Sequence, residues 1–304
     1  MKVLVSGISG YLGHYLAAQL SQSGHTVSGI TRSAGRHIPD IDEIYQADIT
    51  QPLPRIPELD NYDVFIHLAG ANEIDSQDPK VAINSTSLGT KHCLDFSMAH
   101  KIPLFIYFST IHVYGAMEGA IDENSPINCL NDYALTHYFA EEYLRMAQKK
   151  TGQDYIIYRP SNIFGAPLDS AVDRWSLVPM CFCKDAIQTQ NIELRSSGKQ
   201  ARDFISIQSV SRCLQQMIQD PSDYKNSEYN ICSGESHSIY DVAELVSEVY
   251  EEQFQAPCAV NVLSDQPKSV ATLQLNSRAK DLLQSPEGVR QELRSEITRT
   301  FELL

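Results

Sequence analysis

Short apolar runs alternate with longer mixed stretches through the first half of the chain. The runs Lys2–Ser6, Asp63–Ala69 and Leu104–Ser109 are rich in Val, Ile, Leu and Phe and have the length of buried strands. Between them, stretches such as Tyr11–Ser23 and Asp132–Lys150 have the length and mixed polarity of helices. Further strands are predicted at His25–Thr31, Glu43–Ala47 and Tyr155–Arg159, with a helix at Pro79–His100. Such alternation predicts βαβ units and an α/β fold on a parallel sheet.

Composition narrows the class of protein. The 304 residues are 42% apolar and 20% charged with a net charge of −14, and an acidic chain without clustered Lys and Arg argues against a nucleic-acid partner. No apolar stretch approaches the roughly 18 residues of a membrane helix, and the apolar run Val3–Val5 is too short for a signal peptide. The seven cysteines show no C-x-x-C pair or zinc spacing, which fits reduced thiols. We therefore expect a cytoplasmic protein with no membrane partner and no metal site.

A glycine-rich turn joins the first predicted strand to the first predicted helix. Gly7, Gly10 and Gly13 recur at every third position there. This spacing permits a tight turn, close approach of the backbone to a pyrophosphate, and packing of the helix on the strand. The N-terminus of the helix then directs unpaired N–H groups at the anion. The turn predicts a dinucleotide-binding Rossmann sheet, with these residues at the cofactor: Gly7, Ser9, Gly10, Tyr11, Leu12 and Gly13.

The end of the second predicted strand bears on the choice of dinucleotide. Rossmann proteins that prefer NAD usually carry Asp or Glu there, whereas this chain has Thr31 followed by Arg32 and Ser33. A carboxylate would repel a 2′-phosphate, and a guanidinium binds one through two hydrogen bonds. The segment favours NADP(H), with NAD as the alternative. An arginine that merely lies on the surface is the other interpretation of Arg32.

Further motifs follow in order along the chain. They are Ala47–Thr50, His67–Gly70, Asn84 with Gly89-Thr90, Ser109–Gly115, Arg159–Gly165 and Arg202–Ile205. With the glycine turn, this ordered set resembles the extended short-chain dehydrogenase/reductase family, also called the NAD-dependent epimerase/dehydratase family. The resemblance runs over nearly the whole chain. It implies cofactor contacts for Asp48, Ile49, Leu68, Ala69, Gly70, Asn84, Pro160 and Ser161.

The resemblance also implies an architecture. Residues 1–165 with about 200–232 would form an NADP(H)-binding Rossmann domain, a doubly wound parallel sheet of about seven strands. Residues 166–199 and 233–304 would form a smaller C-terminal substrate-binding lobe. Members of the family commonly pair through helices that include the one carrying the catalytic tyrosine, so we expect a homodimer.

The catalytic residues implied by the resemblance include one departure. Tyr133 matches the tyrosine that exchanges a proton with the substrate, and Thr110 matches the hydroxyl that binds the reacting oxygen. The family's lysine, four residues after the tyrosine, is replaced by His137, and no tyrosine in the chain has a lysine at that spacing. Both Tyr133 and His137 are also implied cofactor contacts. An imidazole still donates to the cofactor ribose, but with an ordinary pKa near 6.5 it is mostly neutral at pH 7.5.

Two interpretations of His137 stay open. One is an active enzyme with a weaker or pH-sensitive proton donor, which the presence of Tyr133, Thr110, Asn84 and the glycines favours. The other is a cofactor-binding or regulatory protein without efficient turnover.

The family acts on nucleotide-linked sugars, and the substrate motifs match in part. Arg202 matches an arginine that contacts the diphosphate, and Asn162 matches a residue near the substrate. The second diphosphate arginine is not recovered, Lys268 being the nearest cation, so a smaller carbonyl compound is an alternative substrate. The Asp-Glu pair of the 4,6-dehydratases is replaced by Ile111 and His112, which argues against dehydration. We therefore expect a keto-sugar reductase or a 4-epimerase, the former favoured by the NADP-type segment.

Overall fold

The computed structural model describes residues 1–32, 38–169, 172, 174–263 and 272–304. These residues form two compact units. The first unit contains residues 1–116, 125–160 and 214–229, and the second contains residues 117–124, 161–213 and 230–304. The predicted division into a cofactor domain and a substrate lobe concerns function and stays a prediction.

Strands and helices follow one another along both units. The strands are β1 (Lys2–Ser6), β2 (Thr26–Thr31), β3 (Glu43–Gln46), β4 (Val64–His67), β5 (Leu104–Phe108), β6 (Gly119–Ile121), β7 (Asp154–Pro160), β8 (Asn162–Phe164), β9 (Asn191–Leu194), β10 (Ala201–Ser206), β11 (Ser227–Ile231), β12 (Ser236–Ser238), β13 (Ala259–Val262) and β14 (Leu273–Leu275). The helices are α1 (Tyr11–Gln22), α2 (Pro79–Ala82), α3 (Gly89–Ala99), α4 (Asp132–Thr151), α5 (Met180–Thr189), α6 (Ile207–Gln219), α7 (Ile239–Phe254), α8 (Lys280–Leu283) and α9 (Val289–Leu303).

A seven-stranded sheet with the order β11-β7-β5-β4-β1-β2-β3 is the largest sheet of the described chain. Its pairings from β3 through β7 are parallel, with Val5 opposite Gly29 on one side and Ile66 on the other. The chain leaves β1 in one direction for β2 and β3 and later returns on the other side with β4. Ligands of open parallel sheets bind at such a reversal, beyond the carboxyl ends of the strands. The predicted fold, an α/β doubly wound parallel sheet, is confirmed.

The inner strands are continuous apolar runs because helices cover both faces of a parallel sheet. Every residue of β4 and β5 is buried, and Val3, Leu4 and Val5 of β1 have no exposed surface. This burial explains why the strands were predicted to within two residues at either end. A strand that is covered on both faces therefore appears in the sequence as an uninterrupted apolar run.

The helix predicted over Pro79–His100 is not continuous. A π-helical segment, Ile83–Leu88, separates α2 from α3, and it contains Asn84. This segment is held on two sides: Thr86 Oγ1 accepts from the backbone N–H of Ala71 at 3.1 Å, and Ser87 Oγ donates to the carbonyl oxygen of Thr136 at 2.9 Å. Widened turns of this kind are frequent at functional sites. The segment ties α4 to the loop that follows β4.

The second unit has smaller sheets and its own core. The strand β10 pairs with β8 in parallel and with β12 in antiparallel fashion, which places Arg202 opposite His237. Two further pairs, β9 with β13 and β6 with β14, are parallel. Apolar side chains of α5, α7 and α9, including Phe182, Leu245 and Leu293, form a buried cluster.

Two general features of the described residues concern partners. None of their helices is both long and apolar enough to cross a bilayer. The same residues hold no group of three or more His, Cys, Asp or Glu side chains placed to bind a metal ion.

Candidate active site

The glycine turn after β1 is as tight as its sequence predicts. Gly7 adopts a positive φ of 70°, and its N–H donates to the carbonyl oxygen of Ile30 on β2 at 3.1 Å. The N–H of Gly10 donates to the carbonyl oxygen of Gly7 at 2.9 Å. A Cβ on Gly13 would lie 2.2 Å from that same oxygen, so only glycine lets α1 pack under the turn.

A cavity of about 470 Å³ opens at this turn, at the carboxyl ends of the strands. It is lined by Gly7, Ser9, Gly10, Ile30, Thr31, Arg32, Ala47, Asp48, Ile49, Thr50, Leu68, Ala69, Gly70, Ala71, Asp75, Val81 and Ser85. Residues predicted at the cofactor from four separate segments therefore meet at one place. Their contact with a dinucleotide stays a prediction.

Other residues predicted at the cofactor lie apart from this lining. Tyr11, Leu12 and Gly13 form the first turn of α1, and Asn84 lies in the π-helical segment beside the lining residue Ser85. Pro160 ends β7 and Ser161 follows it, whereas Ser33 lies outside the described residues.

Several lining residues were missed by sequence reasoning. Ala47 and Thr50 belong to the family motif Ala47–Thr50, so the sequence did contain a signal for them. For Asp75, Val81 and Ser85 there was none, because only the path of the loop after β4 brings them to the cavity.

The end of β2 carries a threonine hydroxyl where NAD-preferring proteins carry a carboxylate. Thr31 Oγ1 lies 2.9 Å from Ser9 Oγ on the glycine turn, and Arg32, which follows, is exposed. Asp48 accepts from the N–H and hydroxyl of Thr50 at 3.0 and 2.9 Å. Those hydrogen bonds, with a smaller contribution from the charge of Arg32, lower the pKa of Asp48. Arg32 is thus a solvent-facing cation at the rim of the cavity.

Tyr133 and His137 lie one turn apart at the start of α4. Asn131 begins the helix by accepting from the N–H of Ala134 at 2.8 Å, which sets Tyr133 in the first turn. The two rings meet edge to face, with centroids 4.5 Å apart and an interplanar angle of 67°. The sequence spacing therefore translates into direct ring contact on one face of the helix.

His112 lies on the short 3₁₀ segment Ile111–Tyr114, and Thr110 is the N-cap of this segment. The segment packs against α4. The hydroxyl oxygen of buried Thr110 accepts from the N–H of His112 at 3.2 Å. The ring of His112 lies 6.0 Å from that of Tyr133, and its Nε2 is 3.6 Å from a carboxylate oxygen of Glu73. The segment after β5 therefore brings a hydroxyl and an imidazole to the Tyr133 end of α4.

His137 is buried and electrically neutral. His137 is only 6% exposed, and its Nδ1 lies 3.1 Å from the hydroxyl of Tyr107 on β5. A Cβ built on the cavity residue Gly70 would lie 3.9 Å from its Cε1, so the ring edge approaches the cavity. Burial, with a smaller contribution from His112, lowers the pKa of His137 to about 3. A ring in this state does not change charge near neutral pH, which argues against a pH-sensitive donor at this position. The catalytic role of His137 stays a prediction.

A buried ion pair fixes α4 against the sheet. Arg159 on β7 donates to both carboxylate oxygens of Glu141 on α4, at 2.9 and 2.6 Å. The hydroxyl of Tyr114 accepts from the same guanidinium at 2.8 Å, and Ser109 donates to Glu141 at 2.7 Å. The network links the segment after β5, α4 and β7, and thereby sets where Tyr133 and His137 lie.

Two of the substrate residues implied by the resemblance, Asn162 and Arg202, lie in the second unit, whereas Thr110 lies in the first. Asn162 donates to the backbone oxygen of Asp203 at 2.7 Å, and Ser161 donates to its carboxylate at 2.6 Å. Burial raises the pKa of Asp203 to about 6 despite these and other donors. Neighbouring Arg202 is half-buried, which lowers its pKa, and it forms no ion pair with a carboxylate of the described residues. Lys268 lies outside the described part of the chain.

A doubly wound parallel sheet with a glycine turn at its switch point is typical of Rossmann-type α/β proteins. The model of the NAD dependent epimerase/dehydratase family matches residues 3–232, and the chain belongs to that family. This confirms the family and the class of enzyme indicated by the sequence motifs.

Relatives and solved structures are similar over most of the chain. A putative UDP-glucose 4-epimerase of Methanocaldococcus jannaschii is 25% identical over 255 residues, 80% of this chain and 81% of that protein. A GDP-6-deoxy-D-mannose reductase of Pseudomonas aeruginosa is 25% identical over 84% of this chain and 82% of its own length. The UDP-glucuronic acid 4-epimerase of Bacillus cereus, solved with UDP-glucuronic acid and NAD, has a TM-score of 0.81 at 22% identity over the full length of both chains. The UDP-glucose 4-epimerase of Thermotoga maritima, solved with UDP-glucose, has a TM-score of 0.82 at 18% identity over 99% of each chain.

Proposed function

We propose that this protein is an NADP(H)-dependent enzyme acting on a nucleotide-linked sugar, and that it reduces a keto-sugar. The observation that carries the proposal is the contact of Tyr133 with His137 on α4, beside the cavity residue Gly70. The cavity suits a dinucleotide, because Gly7 and Gly10 line it without side chains and so leave the backbone of the turn open to a pyrophosphate.

In this proposal a bound NADPH would supply the hydride for the reduction, and the chain's own residues handle the proton. The phenol of Tyr133 gives its proton to the substrate oxygen, and the hydroxyl of Thr110 donates to the same oxygen. Neutral His137 holds the cofactor ribose through its one N–H. Glu141 and Arg159 touch neither ligand and keep α4 in place.

The neutrality of His137 favours reduction over epimerisation. An epimerase must first oxidise its substrate, which requires Tyr133 to act as a base. An ordinary tyrosine has a pKa near 10, so ionising it at pH 7 costs about 4 kcal/mol unless a cation lies beside it. His137 is uncharged and supplies no such cation. A reductase needs the phenol only as a proton donor, which is the form that an ordinary tyrosine has at neutral pH.

The choice of NADP(H) rests on the end of β2. Arg32 is an exposed cation at the rim of the cavity, and the position of the usual carboxylate is occupied by Thr31 bonded to Ser9. A guanidinium binds a 2′-phosphate, and nothing at Thr31 repels it. NAD, the dinucleotide seen in the similar Bacillus cereus structure, is the competing outcome.

The substrate assignment rests on Arg202. A half-buried guanidinium without a carboxylate partner among the described residues suits a diphosphate, and Asn162 lies one strand away on β8. A smaller carbonyl compound would need no such cation. The variant Arg202→Ala separates the two, because it weakens binding only of a diphosphate-linked substrate.

The proposal includes a homodimer in the cytoplasm. Leu135, Phe139 and Met146 on α4 are 47%, 56% and 37% exposed and form an apolar stripe. Burying this stripe against a second copy would remove it from water, and sedimentation of the purified protein measures whether it does. None of the seven cysteines, all of which lie in the described ranges, forms a disulfide bond, which fits a reducing compartment.

Turnover with a panel of nucleotide-linked 4-keto-sugars and NADPH tests the enzyme. Oxidation of NADPH is expected, and Tyr133→Phe should lower it by about 100-fold or more while NADPH affinity is kept. The variant His137→Lys should raise turnover, because a cation beside Tyr133 lowers the pKa of its phenol. Tight NADPH binding without turnover on any sugar would instead identify a cofactor-binding protein, and interconversion of 4-epimers with retained NAD would identify an epimerase.

A further inference from the structure

A chain of buried polar side chains lies beneath His137 in the first unit. The hydroxyl of Ser6 at the end of β1 lies 2.6 Å from Nδ1 of His67, and Nε2 of His67 lies 3.0 Å from Oγ1 of Thr90. Tyr107 lies opposite His67 in the sheet, and its hydroxyl is 3.1 Å from Nδ1 of His137. These five residues are all buried.

The two imidazoles of this chain are neutral. Burial lowers the pKa of His67 to about 3, as it does that of His137. Each ring therefore carries one N–H and one bare nitrogen, and each hydroxyl can donate only one proton. Whether a given ring nitrogen donates or accepts therefore depends on the hydroxyl that faces it.

The hydroxyl of Tyr107 faces Nδ1 of His137 as its hydrogen-bond acceptor. Donation from Tyr107 requires a bare Nδ1, so the single N–H of the neutral ring then lies on Nε2. Beside this pair, Ser6 donates to Nδ1 of His67, and Nε2 of His67 donates to Thr90. The backbone N–H of Leu68, 3.3 Å from Ser6 Oγ, suits this order because it can only donate.

The opposite direction of the Tyr107–His137 hydrogen bond is less favourable. If Nδ1 of His137 donated to Tyr107, the hydroxyl hydrogen of Tyr107 would lose this acceptor. Tyr107 is buried, and a buried donor without an acceptor is destabilising. Donation from Tyr107 to Nδ1 is therefore the stable direction.

We propose that Tyr107 is a positioning residue that fixes the tautomer of His137, so that the proton lies on Nε2 and not on Nδ1. The inference rests on the proposed function, in which the N–H of His137 holds the cofactor ribose. A lysine at this position would carry three donors and would need no such help. An imidazole has a single N–H, which is useful only if its partner on Nδ1 keeps it on the other nitrogen.

The chain does not move protons. It ends on the backbone N–H of Leu68, which cannot take up or release a proton under these conditions. Charging either histidine is disfavoured by burial, so a proton cannot be stored along the way. The chain is a fixed set of donors, and its effect on the site is orientation.

The test compares two tyrosine variants that each lose one buried hydroxyl. Tyr107→Phe removes the donor to His137, whereas Tyr62→Phe removes a hydroxyl bonded to Ser28 Oγ at 2.6 Å, away from the cavity lining. The nitrogen chemical shifts of the His137 ring, read by NMR from ¹⁵N-histidine-labelled protein without ligand, report the tautomer directly. We expect a protonated Nε2 in the wild type and in Tyr62→Phe, and a mixture of tautomers in Tyr107→Phe.

This readout needs neither cofactor nor turnover, so it stands even if the proposed enzyme function fails. A protonated Nδ1 in the wild type, or unchanged shifts in Tyr107→Phe, would overturn the inference.

Cofactor affinity supplies a second readout. Tyr107→Phe should weaken NADPH binding by up to about tenfold, the loss expected for one hydrogen bond, and Tyr62→Phe should leave it unchanged. In the His137→Lys background the same Tyr107→Phe change should have no more than about a twofold effect, because a lysine has no tautomer to fix. An equal loss in both backgrounds would show that Tyr107 supports the fold alone and would refute the positioning role.

Discussion

The two buried histidines make this protein sensitive to acid, and the size of the effect follows from their burial. His67 and His137 have an ordinary pKa near 6.5 when unfolded and about 3 when folded. A histidine whose pKa is lowered by folding takes up its proton more readily in the unfolded chain. Its stabilising contribution is therefore complete above about pH 6.5 and is lost as the pH falls toward about 3.

The loss per histidine is about 1.4 kcal/mol for each pH unit below 6.5, which amounts to about 2 kcal/mol at pH 5. The two residues together would lower the free energy of unfolding by about 4 kcal/mol, a large part of the 5–15 kcal/mol typical of a domain. Asp203 acts in the opposite sense, because its pKa is raised to about 6 and its folded form gains a proton first. Its offset is about 1 kcal/mol at pH 5.

The variant His137→Asn isolates one histidine, since the amide oxygen can accept from Tyr107 in place of Nδ1. Urea unfolding followed by circular dichroism at pH 5, 6, 7 and 8 measures the free energy of unfolding. The variant should lose about 2 kcal/mol less than the wild type between pH 7 and pH 5, and the contribution of Asp203 cancels in the comparison.

Leu144→Ala on the same helix is the matched control. Leu144 is buried, so its truncation should lower stability by about 2–5 kcal/mol at every pH without changing the slope. If His137→Asn and the wild type lose stability in parallel from pH 7 to pH 5, burial does not hold His137 neutral and the reasoning is refuted.

Three further substitutions test the site and its support. Gly13→Ala places a Cβ 2.2 Å from the oxygen of Gly7, so NADPH affinity should fall at least tenfold and stability by about 1–3 kcal/mol, measured by fluorescence titration and urea unfolding. Arg32→Glu should weaken NADPH binding by about 10- to 100-fold and leave NADH within about threefold; equal losses for both would exclude a 2′-phosphate contact. Glu141→Gln leaves the buried guanidinium of Arg159 without its carboxylate and should lower the free energy of unfolding by about 3–5 kcal/mol, whereas a loss below about 1 kcal/mol would contradict the role of this pair.

The fold and the position of the cavity were predicted from patterns within short segments of the sequence. The glycines at every third position and the apolar runs of β1, β4 and β5 are properties of short segments, and each segment adopts the geometry that its own residues require. The ends of β2 and β4 were predicted at the cavity for the same reason, since the carboxyl ends of parallel strands meet along one edge. The prediction of one long helix at Pro79–His100 was wrong. Its π-helical interruption depends on hydrogen bonds to Ala71 and Thr136, which lie outside the segment.

The sequence by itself determined that a histidine stands where the family has a lysine, but not what that histidine does. Its neutral state arises from burial among segments far apart in the chain, and its hydrogen-bond partner Tyr107 lies 30 residues away. Nothing in the spacing of Tyr133 and His137 indicates either fact. Spacing along one helix specifies which side chains share a face, whereas charge state and tautomer depend on the solvent exclusion and partners that only the folded chain assembles.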